Sequence, residues 1–152
     1  MKDNIPNDEF KTIRHFLADN RYQFRLKDLF LEIAYMLGCA GRYDAAECVF
    51  RAIIAADPGD AGGLLGLGNV LLMTGRFDES ESTYSEVLRE TPNDPAARAF
   101  LGELYLCTGR PVTGKELLES VYLEQPDSKV GIWASGLLDF CKELENESAF
   151  IS

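Results

Sequence analysis

Residues 41–58 read GRYDAAECVFRAIIAADP, residues 75–92 read GRFDESESTYSEVLRETP, and residues 109–126 read GRPVTGKELLESVYLEQP. Each stretch opens on Gly-Arg and closes on Pro, and each begins 34 residues after the one before. Two independent marks therefore keep one register over three copies. A 34-residue period is the sign of stacked helical hairpins, in which no single repeat can bury its own apolar face. The expectation is an all-α chain of seven or eight helices, coiled as a right-handed superhelix of helix-turn-helix repeats. An N-terminal helix precedes the repeats and a C-terminal capping helix closes them. The boundaries that follow are 1–26 for the N-terminal helix and linker, 27–60, 61–94 and 95–128 for the repeats, and 129–152 for the closing helix and a frayed tail.

Working outward, the same grammar recurs. Helix A of the first copy is expected from about Lys27 to Ala40, with Phe30, Ile33, Ala34 and Leu37 on one face. Gly41 stops it, since glycine accepts the left-handed conformation at a helix end. Asp44 to Glu47 reads as a capping box opening helix B, as do Asp78 to Glu81 and Thr113 to Glu116. Asp60 and Asp94 cap the next A helices, and Pro95 suits a first turn. Asp127 and Ser128 cap a last helix to about Leu144, which carries Ile132, Trp133, Leu137 and Phe140. Asn7 to Ala18 reads as a short amphipathic helix through Phe10, Ile13 and Leu17, followed by a connection over Asn20 to Phe24. Glu145 to Ser152 should fray.

These residues resemble tetratricopeptide repeats (TPRs). The second copy carries Leu64, Leu67-Gly68, Gly75, Phe77, Ser80, Tyr84 and Pro92 at the family's positions. The first carries Phe30, Ile33-Ala34, Gly41, Tyr43, Ala46, Phe50 and Pro58. The third keeps Leu101-Gly102, Gly109 and Pro126, but Pro111, Gly114 and Leu118 replace an aromatic, an alanine and an aromatic. Less regular packing of its helix B is expected from those departures. The architecture, with "GRYDAAECVF" and "GLGNVLLMTGRFDESESTYSEV", is similar to the class II chaperones of bacterial type III secretion, which hold translocator proteins. The smaller TPR partners of secretion needle subunits are an equal resemblance.

Composition narrows the function classes. Of 152 residues, 25 are Asp or Glu and 15 are Lys or Arg, giving a net charge of −10. Residues 1–30 hold six basic against five acidic side chains, so most of the acid lies on the repeats. Nucleic acid is a poor partner, because phosphates reward Lys and Arg. The acid reads as a solvated surface. Met1 to Phe10 has no apolar run of a secretory signal, and Gly63 to Met73 is too short to span a bilayer. Cytoplasmic localisation without membrane insertion is expected. Cys39, Cys48, Cys107 and Cys141 form no CxxC pair and read as buried, reduced thiols.

No catalytic, cofactor-binding or metal-binding residue is expected, and the chain reads as no enzyme. His15 is the one histidine and has no ligand cluster beside it. Gly109 to Lys115 matches the spacing of a phosphate-binding loop. That loop needs a preceding strand and a hydroxyl after the lysine, and Glu116 stands there instead.

What remains is a binding surface. In the family, helix A residues line a concave groove. Carried over, the resemblance implies a peptide-binding groove of Leu31, Tyr35, Leu65, Gly66, Asn69, Leu72, Phe100, Glu103, Leu106, Trp133 and Leu137. Tyr35, Asn69 and Glu103 are polar points in an apolar lining. An apolar surface of that extent calls for a partner. Gly66 is expected to let a ligand backbone approach. The absence of Lys and Arg disfavours acidic C-terminal peptides. The function expected is a type III secretion chaperone holding an apolar segment of a secreted protein. A scaffold or assembly subunit binding one folded partner is the alternative. A second copy of the chain, or the chain's own N-terminal helix, could also cover the groove.

Overall fold

The computed structural model describes residues 23–151 and is helical, with seven helices and no strand among them. These are α1 (Gln23–Cys39), α2 (Tyr43–Ala56), α3 (Ala61–Met73), α4 (Phe77–Glu90), α5 (Pro95–Cys107), α6 (Pro111–Glu124) and α7 (Lys129–Ile151). They pack in sequence as TPR helix pairs. The expected helix over 7–18, and His15, lie outside the described residues. The first A helix begins at Gln23, inside the expected connection. The chain divides into two compact units within α4, between Thr83 and Tyr84.

The three Gly-Arg pairs do one job three times. Gly41, Gly75 and Gly109 have φ of 72°, 77° and 76°, the region that side chains disfavour. Next to each, the arginine N–H donates back to the ending helix. Arg42 bonds Leu37 O at 2.9 Å, Arg76 bonds Leu71 O at 2.8 Å, and Arg110 bonds Tyr105 O at 2.8 Å. The same arginine's carbonyl then accepts the first bond of helix B, from Ala46, Ser80 and Gly114, each at 3.0 Å. Helix B therefore starts on the arginine, and the expected capping boxes do not form. Asp44 and Asp78 fall inside the first turn, where they still favour the positive end of the helix. Arg42 and Arg110 cap without a side-chain bond. The A-helix caps are as expected: Gly63 N donates to Asp60 Oδ1 and Ala97 N to Asp94 Oδ1, both at 2.7 Å. Ser128 Oγ accepts from Gly131 N at 3.0 Å at the start of α7.

In the N-terminal unit the core is built from Ala34, Ala46, Phe50, Ile53, Leu67, Val70 and Leu71. Helix α3 is buried almost all round, as a helix apolar on every face must be. Its glycines make room for neighbours. A Cβ at Gly62 would stand 3.2 Å from Leu31, and one at Gly63 would stand 3.1 Å from Ile53. The Ser80 hydroxyl donates to Gly68 O at 2.8 Å and ties α4 to α3. Arg76 adds a polar tie, reaching Glu47 on α2 and Glu79 on its own helix. Lys27 reaches Asp60 at 2.6 Å. Ile33, expected to share one face with the buried Ala34, is exposed.

In the C-terminal unit Ala99, Leu118, Val121, Ala134 and Leu138 form the core. One of the third copy's departures from the family pattern is a close approach. A Cβ at Gly114 would lie 2.7 Å from Gly102 O, so the glycine that replaces the family's alanine brings α6 backbone to backbone against α5. Helix α7 covers this core. Ala134 and Leu138 are buried, with Val130, Trp133 and Leu137 packed beside them. Ile132 and Phe140 are 62% and 56% exposed. Nor does α7 end near Leu144. It runs to Ile151, and Glu145, one residue beyond the expected stop, pairs with Lys115 of α6.

Candidate functional site

Each unit holds a pocket between consecutive A helices. In the N-terminal unit it lies between α1 and α3. Ala34, Tyr35, Gly38 and Cys39 form one wall, Gly66, Asn69, Val70 and Met73 the other, and Tyr43 and Phe50 complete the lining. Its volume is about 210 Å³. In the C-terminal unit a pocket of about 440 Å³ lies between α5 and α7. Glu103, Leu106 and Cys107 face Leu137, Phe140, Cys141, Leu144 and Glu145 there, with Pro111 and Lys115 of α6 alongside.

The two pockets occupy one position in the repeat. Tyr35, Gly38, Cys39, Tyr43, Asn69 and Met73 stand two periods before Glu103, Leu106, Cys107, Pro111, Leu137 and Cys141. The helix-turn-helix geometry thus makes a pocket from the last turns of two A helices and the first residue of the intervening B helix. Apolar walls dominate both.

Six of the eleven groove residues named from sequence line these pockets: Tyr35, Gly66 and Asn69 in the first, Glu103, Leu106 and Leu137 in the second. The other five do not. Leu31 packs over Gly62, and Leu65 and Leu72 are buried. Phe100 stacks on Tyr84 with centroids 5.8 Å apart, and Trp133 meets Phe100 edge-on at 5.1 Å. Sequence reasoning missed Tyr43, Pro111, Lys115 and Cys141 as lining residues. Their signal was the register itself, because Tyr43 and Pro111 both follow a Gly-Arg pair.

The role given to Gly66 needs correction. A Cβ there would lie 2.1 Å from the Phe50 ring, so the missing side chain accommodates the chain's own core and not a ligand backbone. Phe50 is held edge-on to Tyr35 at 5.2 Å, and the Tyr35 hydroxyl donates to Gly62 O at 3.3 Å. The cysteines need correction too. All four are free thiols, as expected, but Cys39 and Cys107 are exposed and Cys48 and Cys141 half-buried. Three of the four line the two pockets.

Burial sets the electrostatics of the second pocket. It raises the pKa of Glu103, since a carboxylate is disfavoured away from water. Burial also raises the Cys107 thiol, with the Glu103 charge adding to it. Lys115 is paired with Glu145, which raises its pKa. The phosphate-loop spacing has no matching frame here. Helix α5 precedes it, Gly109 is in the turn, and Gly114 is inside α6 against Gly102. Among the described residues, no group of three or more His, Cys, Asp or Glu side chains could hold a metal. None of their helices is long and apolar enough to cross a membrane.

Two models of the tetratricopeptide repeat match the chain, over residues 40–104 and 95–120. Together they span residues 40–120, more than half of it. The chain is a tetratricopeptide repeat protein. No curated protein matches this TPR protein by sequence. Its fold resembles that of the Yersinia enterocolitica type III secretion translocator chaperone SycD. An alternative dimer of SycD is 20% identical with a TM-score of 0.67, covering 83% of this chain and 98% of that one. SycD in complex with a peptide of the translocator YopD is also 20% identical, with a TM-score of 0.65 and coverage of 83% and 99%. The APC/C hetero-tetramer Cut9-Hcn1 gives a TM-score of 0.65 at 19% identity, covering 89% of this chain and 26% of that one. At these identities the likeness is one of fold.

Proposed function

We propose that this TPR protein is a non-enzymatic peptide binder that holds apolar segments of a partner in its A-helix pockets. The finer reading is a cytoplasmic chaperone of type III secretion, keeping an aggregation-prone cargo sequestered until export. The observation that carries the proposal is the pair of register-equivalent, mostly apolar pockets. Each has room for one or more apolar side chains, and each has a polar point at the same repeat position. The likeness to SycD, which takes a translocator peptide, supports the same direction.

The alternative is a scaffold that binds one folded partner through a permanent interface, or a second copy of itself. A fold likeness of the same TM-score to a chain of the APC/C hetero-tetramer Cut9-Hcn1 supports that alternative. Purification of the tagged protein from its native cells, identification of what co-purifies, and titration of tiling peptides from that partner separate the two. The chaperone reading expects an isolated apolar peptide to bind. Binding of the intact partner with no peptide binding contradicts it and favours the scaffold.

A further inference from the structure

Residues 35, 69, 103 and 137 are one position of the repeat, occupied by Tyr, Asn, Glu and Leu. Only in the third copy does that position carry charge. Glu103 lines the C-terminal pocket beside Leu106, Leu137, Phe140 and Leu144. The pocket's other two charges, Lys115 and Glu145, pair with each other. Among the described residues no hydrogen bond or ion pair reaches the Glu103 carboxylate. A carboxylate held against apolar walls without a partner is costly, and a cation brought in with the ligand removes that cost.

We infer that the C-terminal pocket selects peptide segments in which an arginine or lysine lies within about three positions of the anchoring apolar residue, the cation pairing with Glu103. Arginine should be preferred, because its fork can engage both carboxylate oxygens. The inference rests on the peptide-binding reading above and adds a charge requirement to it. An apolar-only pocket would accept any flank.

The test is a positional library of acetylated nonapeptides with leucine fixed at the centre. The library is passed over the full chain and over Glu103→Gln, Glu103→Lys and Glu116→Gln. Glu116 is exposed and lies outside the pocket, so its variant reports general attraction to an acidic protein. Circular dichroism confirms that each variant is folded. The expected result is at least threefold enrichment of Arg and Lys over Asp and Glu at one flanking position. The enrichment should persist in Glu116→Gln, vanish in Glu103→Gln, and invert toward Asp and Glu in Glu103→Lys. Peptides retained by wild type without that enrichment, or with the same enrichment in Glu103→Gln, overturn this inference and leave peptide binding standing. Retention of no peptide by wild type overturns both.

Discussion

The Phe50 ring lies where a side chain at position 66 would stand. Phe50 is 1% exposed, and full burial of such a ring contributes about 1.5–3 kcal/mol. Gly66→Ala forces a methyl into that ring and is expected to cost about 1–3 kcal/mol by overpacking. The bulkier Gly66→Leu should lose stability before it loses any ligand. Urea denaturation of Gly66→Ala, Phe50→Leu and the double variant checks this. The double variant should be less destabilised than the sum, because the smaller side chain relieves the clash. Strict additivity would show that the two residues do not oppose each other. Glu103 gives a second test at this scale. Its raised folded pKa means the folded chain keeps the proton to higher pH than the unfolded chain. Its contribution is therefore fully present below the unfolded value near 4.5 and is lost as pH rises through the folded value. Glu103→Gln should melt above wild type at about pH 8, with the gap closing by about pH 4. A melting difference that does not change with pH would contradict the burial of that carboxylate.

Among the elements, the turn between A and B helices does the most with the fewest residues. Added atoms at Gly75 meet nothing within 4 Å, so space is not the constraint there. The constraint is its φ of 77°. Gly75→Ala is expected to cost about 1–2 kcal/mol through the left-handed backbone, and Gly75→Asn less, since asparagine tolerates that region better. Chemical denaturation of both variants reads the difference; equal losses would mean the turn is limited by something other than φ. The same turn explains what was legible from sequence. The 34-residue register, the glycine stops and the Asp60 and Asp94 caps depend on local chemistry and were readable. The B-helix starts were not, because a backbone carbonyl of Arg42, Arg76 or Arg110 performs the role assigned to a side chain. The buried face of α7 was not readable either. Its apolar residues surround much of the helix, and only packing against α5 and α6 chooses Ala134 and Leu138 over Ile132 and Phe140. The pockets were half legible: A-helix positions were named from the repeat, but Tyr43, Pro111 and Lys115 enter from helix B.

For the molecule as a whole, the central claim is that the A-helix pockets, and not the B-helix faces, carry binding. Phe140 and Tyr122 make a matched pair for testing it. Phe140 lines the C-terminal pocket and is 56% exposed, so removing it leaves the core intact. Tyr122 lies on α6 outside that pocket and is 40% exposed. The decisive measurement is titration of the co-purifying partner's peptide against wild type, Phe140→Ser and Tyr122→Ser, with thermal unfolding followed on the same samples. The account predicts at least a tenfold loss of affinity, about 1.4 kcal/mol, for Phe140→Ser with its fold retained, and unchanged affinity for Tyr122→Ser. Unchanged affinity in Phe140→Ser together with a loss in Tyr122→Ser would contradict it and move the binding surface to the B helices.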